Sequence, residues 1–154
     1  MSDTSTHRPL RTAAALATGL AVALGAGSIG SSSAAVTPTV KLKVKGPGSH
    51  HHARFCGKHK NVYIFPRGSK LKYKGTVTPA PPKHFPVDIK VERCSGRHFR
   101  RLTTLHITGG SGTGVFKALI KAPTPRGHAR VTYFSAVAVA GGKSSNKRYF
   151  GIHR

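Results

Sequence analysis

The chain has little acid, few aromatics and almost no cysteine, and each shortage removes a class of chemistry. Only three of its 154 residues are Asp or Glu, against 26 Lys and Arg. Past residue 35 the acids are Asp88 and Glu92 alone. Four positions apart on an extended strand, they stand about 13 Å from each other, farther than the carboxylate pair of a glycosidase. Tryptophan is absent and methionine occurs once. No Gly-x-Ser-x-Gly elbow presents a nucleophile. A Ser-His-Asp set can be assembled by counting residues, but no motif marks one. The run Gly109-Gly110-Ser111-Gly112-Thr113-Gly114 lacks the Gly-Lys-Ser/Thr ending of a phosphate loop and leads into a strand, so it reads as a turn. The expectation is a protein without catalytic residues or cofactor. Nor does any stretch past residue 35 repeat with a helical period, which excludes an amphipathic helical bundle.

Charge is also missing from one segment. Residues Thr12 to Ala26 are uncharged and rich in alanine, leucine and valine. They follow a polar stretch carrying Arg8 and Arg11 and precede glycines and the serines Ser31, Ser32 and Ser33. A positive region, an apolar run and small residues, in that order, make a secretory signal peptide. About 15 apolar residues are too few for a membrane span. The expected cut follows Ala35, which predicts a secreted protein with no stable membrane insertion after cleavage. Neither a paired arginine nor a cysteine near the cut suggests a twin-arginine or lipoprotein route.

The remaining 119 residues suffice for one domain with a modest core. They hold 24 of the 26 Lys and Arg against two acids, a net charge of about +22. A field of that strength attracts polyanions and destabilises the compact state by self-repulsion. The expected partners are anionic cell-wall polymer, nucleic acid, acidic glycan or anionic lipid headgroups. Much of the charge alternates with apolar residues: Val40-Lys41-Leu42-Lys43-Val44-Lys45 and Lys70-Leu71-Lys72-Tyr73-Lys74. Period two predicts half-buried strands with lysines on the wet face, where they also guard sheet edges. The same alternation turns the aromatics inward, away from stacking partners. Arg93, Arg97, Arg100 and Arg101 gather around one predicted turn and form the strongest anion-binding candidate in the sequence.

Strands are predicted over 39–45, 61–65, 70–78, 86–93, 99–108, 115–121, 130–140 and 146–153, with a Gly, Pro and His-rich arm over 46–60. Proline and glycine clusters separate them, as at Pro79 to Pro82 and Pro123 to Gly127. Residues 130–140 carry apolar residues on both faces and read as a central strand. About seven short strands with regular turns predict an all-β antiparallel sandwich, preceded by a signal-peptide helix. The domain boundaries expected are 1–35 for the signal, 36–60 for the first strand and arm, and 61–154 for the sandwich.

The order Lys72-Tyr73-Lys74-Gly75-Thr76-Val77, Pro86 to Arg93, Gly114-Val115-Phe116-Lys117-Ala118, Tyr133-Phe134-Ser135-Ala136 and Ser144 to Arg148 resembles bacterial secreted immunoglobulin-like or fibronectin type III-like modules over roughly residues 70–153. Phe99 stands where such modules often carry tryptophan. The resemblance implies a β-sandwich used for adhesion, display or spacing, and it implies no catalytic residue. The function expected on this basis is a cell-surface structural or adhesive module. A cationic polyanion binder, with an antimicrobial role among its forms, is the alternative. An inhibitor presenting the Pro79–Pro86 loop is a third reading that nothing in the sequence marks.

Two cysteines, Cys56 and Cys94, in an exported chain pair by default. Cys94 falls in opposite phase to Val87, Ile89 and Val91, so the bond is expected to pin the 46–60 arm onto a sheet rather than to cross the core. The rival is metal: Cys56-x-x-His59 and Cys94-x-x-x-His98 have spacings that suit zinc, with His50, His51 and His52 nearby as weak ligands. Secretion favours the disulfide, and no metal is expected.

Overall fold

A computed structural model describes residues 37–125 and 127–154; the expected signal segment, its helix and its cleavage site lie outside them. Ten strands follow in chain order: β1 (Thr39–Lys45), β2 (Ser49–Phe55), β3 (Lys58–Phe65), β4 (Lys70–Thr78), β5 (Phe85–Ser95), β6 (His98–Gly109), β7 (Val115–Lys121), β8 (Val131–Ala140), β9 (Lys143–Ser144) and β10 (Arg148–His153). They form a three-stranded sheet, β1-β4-β7, and a seven-stranded sheet ordered β2-β3-β10-β8-β5-β6, with β9 paired to β8. All pairings are antiparallel except β3 with β10. Among the described residues no helix is long and apolar enough to cross a membrane.

Alternation builds the main core. Val40 and Leu42 of β1, Leu71, Tyr73 and Val77 of β4 and Phe116 of β7 turn inward from the small sheet. Val87, Ile89 and Val91 of β5, Phe134, Ala136 and Ala138 of β8, and Phe150 and Ile152 of β10 meet them from the large one. The alanines of β8 leave room for larger rings, and Phe134 stacks on Phe150 with centroids 5.6 Å apart. Each fully buried ring contributes about 2–3 kcal/mol of transfer free energy. Gly75 lets the Phe116 ring of the neighbouring strand lie across β4: a Cβ there would run into the Lys41 carbonyl oxygen and that ring.

The expectation of about seven strands in one immunoglobulin-like sandwich is corrected to ten strands in two unequal sheets. The main difference lies at 46–60, read from sequence as an arm. His50, His51 and His52 show no apolar alternation, yet Ser49–Phe55 pairs with Lys58–Ile64 residue for residue. The two-residue turn of this hairpin is Cys56-Gly57, both with positive φ (46° and 68°), the left-handed pair that a tight hairpin turn requires. Cysteine at the first of these positions is an unusual choice and carries no turn signal. β3 accordingly runs across the boundary expected between residues 60 and 61.

A second, smaller core lies on the other side of the large sheet. Ala53, Phe55, Val62 and Ile64 of the hairpin are buried there with Val131, Tyr133, Tyr149 and Phe99 packed against them. Phe55 and Tyr133 stack with centroids 4.6 Å apart. The Cys56–Cys94 disulfide, with Cα atoms 5.9 Å apart, ties the hairpin tip to the end of β5 beside this cluster. It pins the segment onto a sheet and does not cross the main core.

Candidate anion-binding face

The solvent side of the three-stranded sheet is a lysine field. Alternation that buries Leu42, Leu71 and Tyr73 exposes Lys41, Lys43 and Lys45 on β1, Lys70, Lys72 and Lys74 on β4, and Lys117 and Lys121 on β7. Register then sets them side by side. Lys43 lies opposite Lys74, and Lys74 opposite Lys117, in one row across all three strands. The next row is Lys45, Lys72 and Leu119, and Lys70 faces Lys121. Rows repeat about every 6.6 Å along the strands, and neighbours across them sit about 4.8 Å apart. Leu119, 63% exposed, is the large apolar side chain in the field.

Nothing neutralises this face. Asp88 and Glu92 belong to the large sheet, where His106 Nδ1 donates to Asp88 Oδ1 at 2.7 Å and Lys147 Nζ donates to Glu92 Oε2 at 2.7 Å. Among the described residues no face lysine makes a salt bridge. Like charges directly opposite on adjacent strands are destabilising, so folding works against this arrangement.

The arginines singled out in the sequence are divided by strand alternation. β5–β6 pairing sets Arg93 opposite Arg100 and Glu92 opposite Arg101. Arg93 and Arg100 therefore share one face, Arg101 joins Glu92 on the other, and Arg97 occupies the turn between Ser95 and His98. Arg101 contributes to holding the Glu92 carboxyl charged. The histidine run is divided as well. His50 lies against Tyr63 with ring centroids 3.6 Å apart, His51 Nε2 meets Ser49 Oγ at 2.7 Å, and Asn61 Oδ1 accepts from His52 Nδ1 at 2.9 Å. His59 pairs with Arg54 across the β2–β3 hairpin. Among the described residues no three His, Cys, Asp or Glu side chains converge as a metal site, and the two cysteines are spent in the bridge.

A cleft opens beside the lysine face because three strands cannot cover seven. The inner side of β3 continues past the edge of β1, leaving a cavity of about 640 Å³ between them. Lys43 and Lys45 of β1 form one wall; His50, Lys60 and Tyr63 of the hairpin and Arg148 of β10 line the rest. Arg148 Nε donates to the Leu42 carbonyl at 2.7 Å and ties the β1 edge to β10. No feature of the sequence points to this cleft, since it depends on the widths of two sheets and the position of a hairpin read as an arm.

No family model and no curated protein matches the chain. Among solved structures it is similar to the Pseudomonas fluorescens alkylpurine DNA glycosylase AlkC bound to DNA containing an abasic site analogue, at 14% identity and a TM-score of 0.41. The match covers 76% of this chain and 30% of that one, so the chain spans under a third of the glycosylase's length. The expectation of a cell-surface structural or adhesive module is corrected here: no comparison supports it, and that reading is withdrawn.

Proposed function

We propose that the protein is a non-catalytic binder of linear polyanions and that the lysine face of β1-β4-β7 is its contact surface. The observation that carries this reading is the row Lys43, Lys74 and Lys117, three cations in direct cross-strand register with no carboxylate on the sheet. A solvated surface gains nothing from such a row, whereas a line of phosphates, sulfates or carboxylates relieves its repulsion and releases counterions on binding. Both acids of the described residues are paired on the large sheet, Asp88 with His106 and Glu92 with Lys147, which supports binding rather than acid–base chemistry. The disulfide is consistent with an extracellular location. Secretion, with residues 1–35 removed as a signal, completes the proposal, as does kinship with immunoglobulin-like modules, for which two packed, mostly antiparallel sheets are the support.

The test is a salt titration of binding to inorganic polyphosphate, a polyanion with no ring to stack. Wild type is expected to lose affinity steeply and linearly with log salt. The triple change Lys43→Gln, Lys74→Gln and Lys117→Gln should flatten that slope by about 2–3. A control triple at the exposed Arg67, Lys83 and Lys143 should flatten it by less than one. Equal effects from the two triples would reduce the face to bulk charge and end the proposal.

A further inference from the structure

The cleft beside the lysine face differs from it in one respect, which points to the identity of the polyanion. On the face the side chains offer charge and a single leucine. In the cleft an aromatic ring is added: Tyr63 is 40% exposed, stacked parallel to the buried Phe65 at 5.9 Å and touched by the exposed His50. Alternation does place Tyr63 on the inner side of its sheet, but the small sheet stops short of it, so an inward aromatic remains open to a ligand.

The hydrogen-bonding character of the cleft narrows the choice further. Lys43 and Lys45 border the cleft from the edge strand β1 and make no salt bridge among the described residues. Side-chain acceptors are scarce: no carboxylate lines the cleft, and the Asn61 oxygen already accepts from His52. A pyranose brings several hydroxyl donors, and the lining offers them few side-chain acceptors. A phosphodiester brings acceptors only. A polymer combining phosphodiesters with flat rings satisfies both the cations and Tyr63, and the volume is in the range of sites that hold one small ligand unit. A base must leave its stack to enter, which a single strand permits at little cost and a duplex does not.

We propose that the polyanion is single-stranded nucleic acid, its phosphates tracking the lysine rows and one base seated on Tyr63 beside the Lys43 and Lys45 edge of β1. This rests on the lysine face being a polyanion surface, and the experiment separates the two. Affinities of the purified protein for a labelled single-stranded oligothymidylate, a duplex of equal length, a uronic-acid oligosaccharide and inorganic polyphosphate are measured at fixed salt. The expected order places the single strand above the duplex. Tyr63→Ala should weaken the single strand about tenfold, the size of one lost stacking contact, and leave polyphosphate unchanged. Tyr63→Phe should keep wild-type affinity, which distinguishes stacking from a folding defect; an intact Cys56–Cys94 bond in each variant provides a second check. If Tyr63→Ala leaves the single strand as tightly bound as before, or if the uronic-acid oligosaccharide binds more tightly than the single strand, the base site is overturned while the lysine face stands. If polyphosphate binding is itself insensitive to salt and to the lysine triple, both fail together.

Discussion

At Glu92 two opposing influences meet. Burial raises the carboxyl, but hydrogen bonds from Lys147 and Ser135 and the charges of Lys147 and Arg101 outweigh it and hold the group below its ordinary value of 4.5. A group lowered on folding stabilises the protein above its unfolded value, and that contribution disappears as pH falls through the folded one. Glu92→Gln should therefore cost about 1 kcal/mol or less near neutrality, given the partial exposure of the Lys147 pair, and nothing at low pH. Thermal melts from pH 7 down to 2.5 check this: the two curves should converge below about pH 4.5. A constant gap between them would mean that the loss is one of packing. Residue scale is also where the arginine expectation met its limit. Arg100 and Arg101 are adjacent, and adjacency on a strand means opposite faces, so proximity in sequence was the wrong measure of proximity in space.

The three-stranded sheet carries a conflict of its own as an element. Its inner face is among the best packed in the molecule, with Leu42, Leu71, Tyr73 and Phe116 almost wholly buried, while its outer face repels itself. Lys74 has a lysine on both sides, so Lys74→Gln should raise stability by a few tenths to 1 kcal/mol at low salt while weakening polyanion binding. Adding salt should stabilise wild type more than the variant, because screening replaces what the substitution removed. Chemical denaturation in urea at 10 and 300 mM salt measures both effects, and destabilisation by Lys74→Gln at low salt would contradict them. The strands of this sheet were legible from period two alone: β1, β4 and β7 were expected at 39–45, 70–78 and 115–121 and lie there. Their outward lysines were legible too. The direct opposition of Lys43, Lys74 and Lys117 was not, because register depends on which strands become neighbours.

For the whole molecule, the disulfide decides how far the large sheet extends. It closes a separation of 38 residues, and the chain-entropy relation gives about 4 kcal/mol for a loop of that length. Replacing both Cys56 and Cys94 by serine should lower stability by roughly that amount. Native-state hydrogen exchange should show the loss first in β2 and β3, since the hairpin is an edge of the large sheet held through β10, Phe65 in the main core, the small aromatic core and the bridge. Full retention of hairpin protection with a uniform loss elsewhere would contradict this. The same variant should lose the base site before the lysine face, because Tyr63 and His50 belong to the hairpin and the lysine rows do not.

By itself the sequence determined the chemistry of each strand and the electrostatic character of the whole: alternation assigns the strand lysines a wet side, two acids past residue 35 leave the charge unbalanced, and Cys56 and Cys94 have only each other to pair with. Those are properties of local spacing and composition, and they hold whatever the strands pack against. Only the tertiary structure decided which cations stand together and which ring stays open. Strand neighbours are chosen by long-range packing, so a row such as Lys43, Lys74 and Lys117 assembles from segments 74 positions apart. The cleft exists because a wide sheet meets a narrow one, a mismatch with no signature in any single segment.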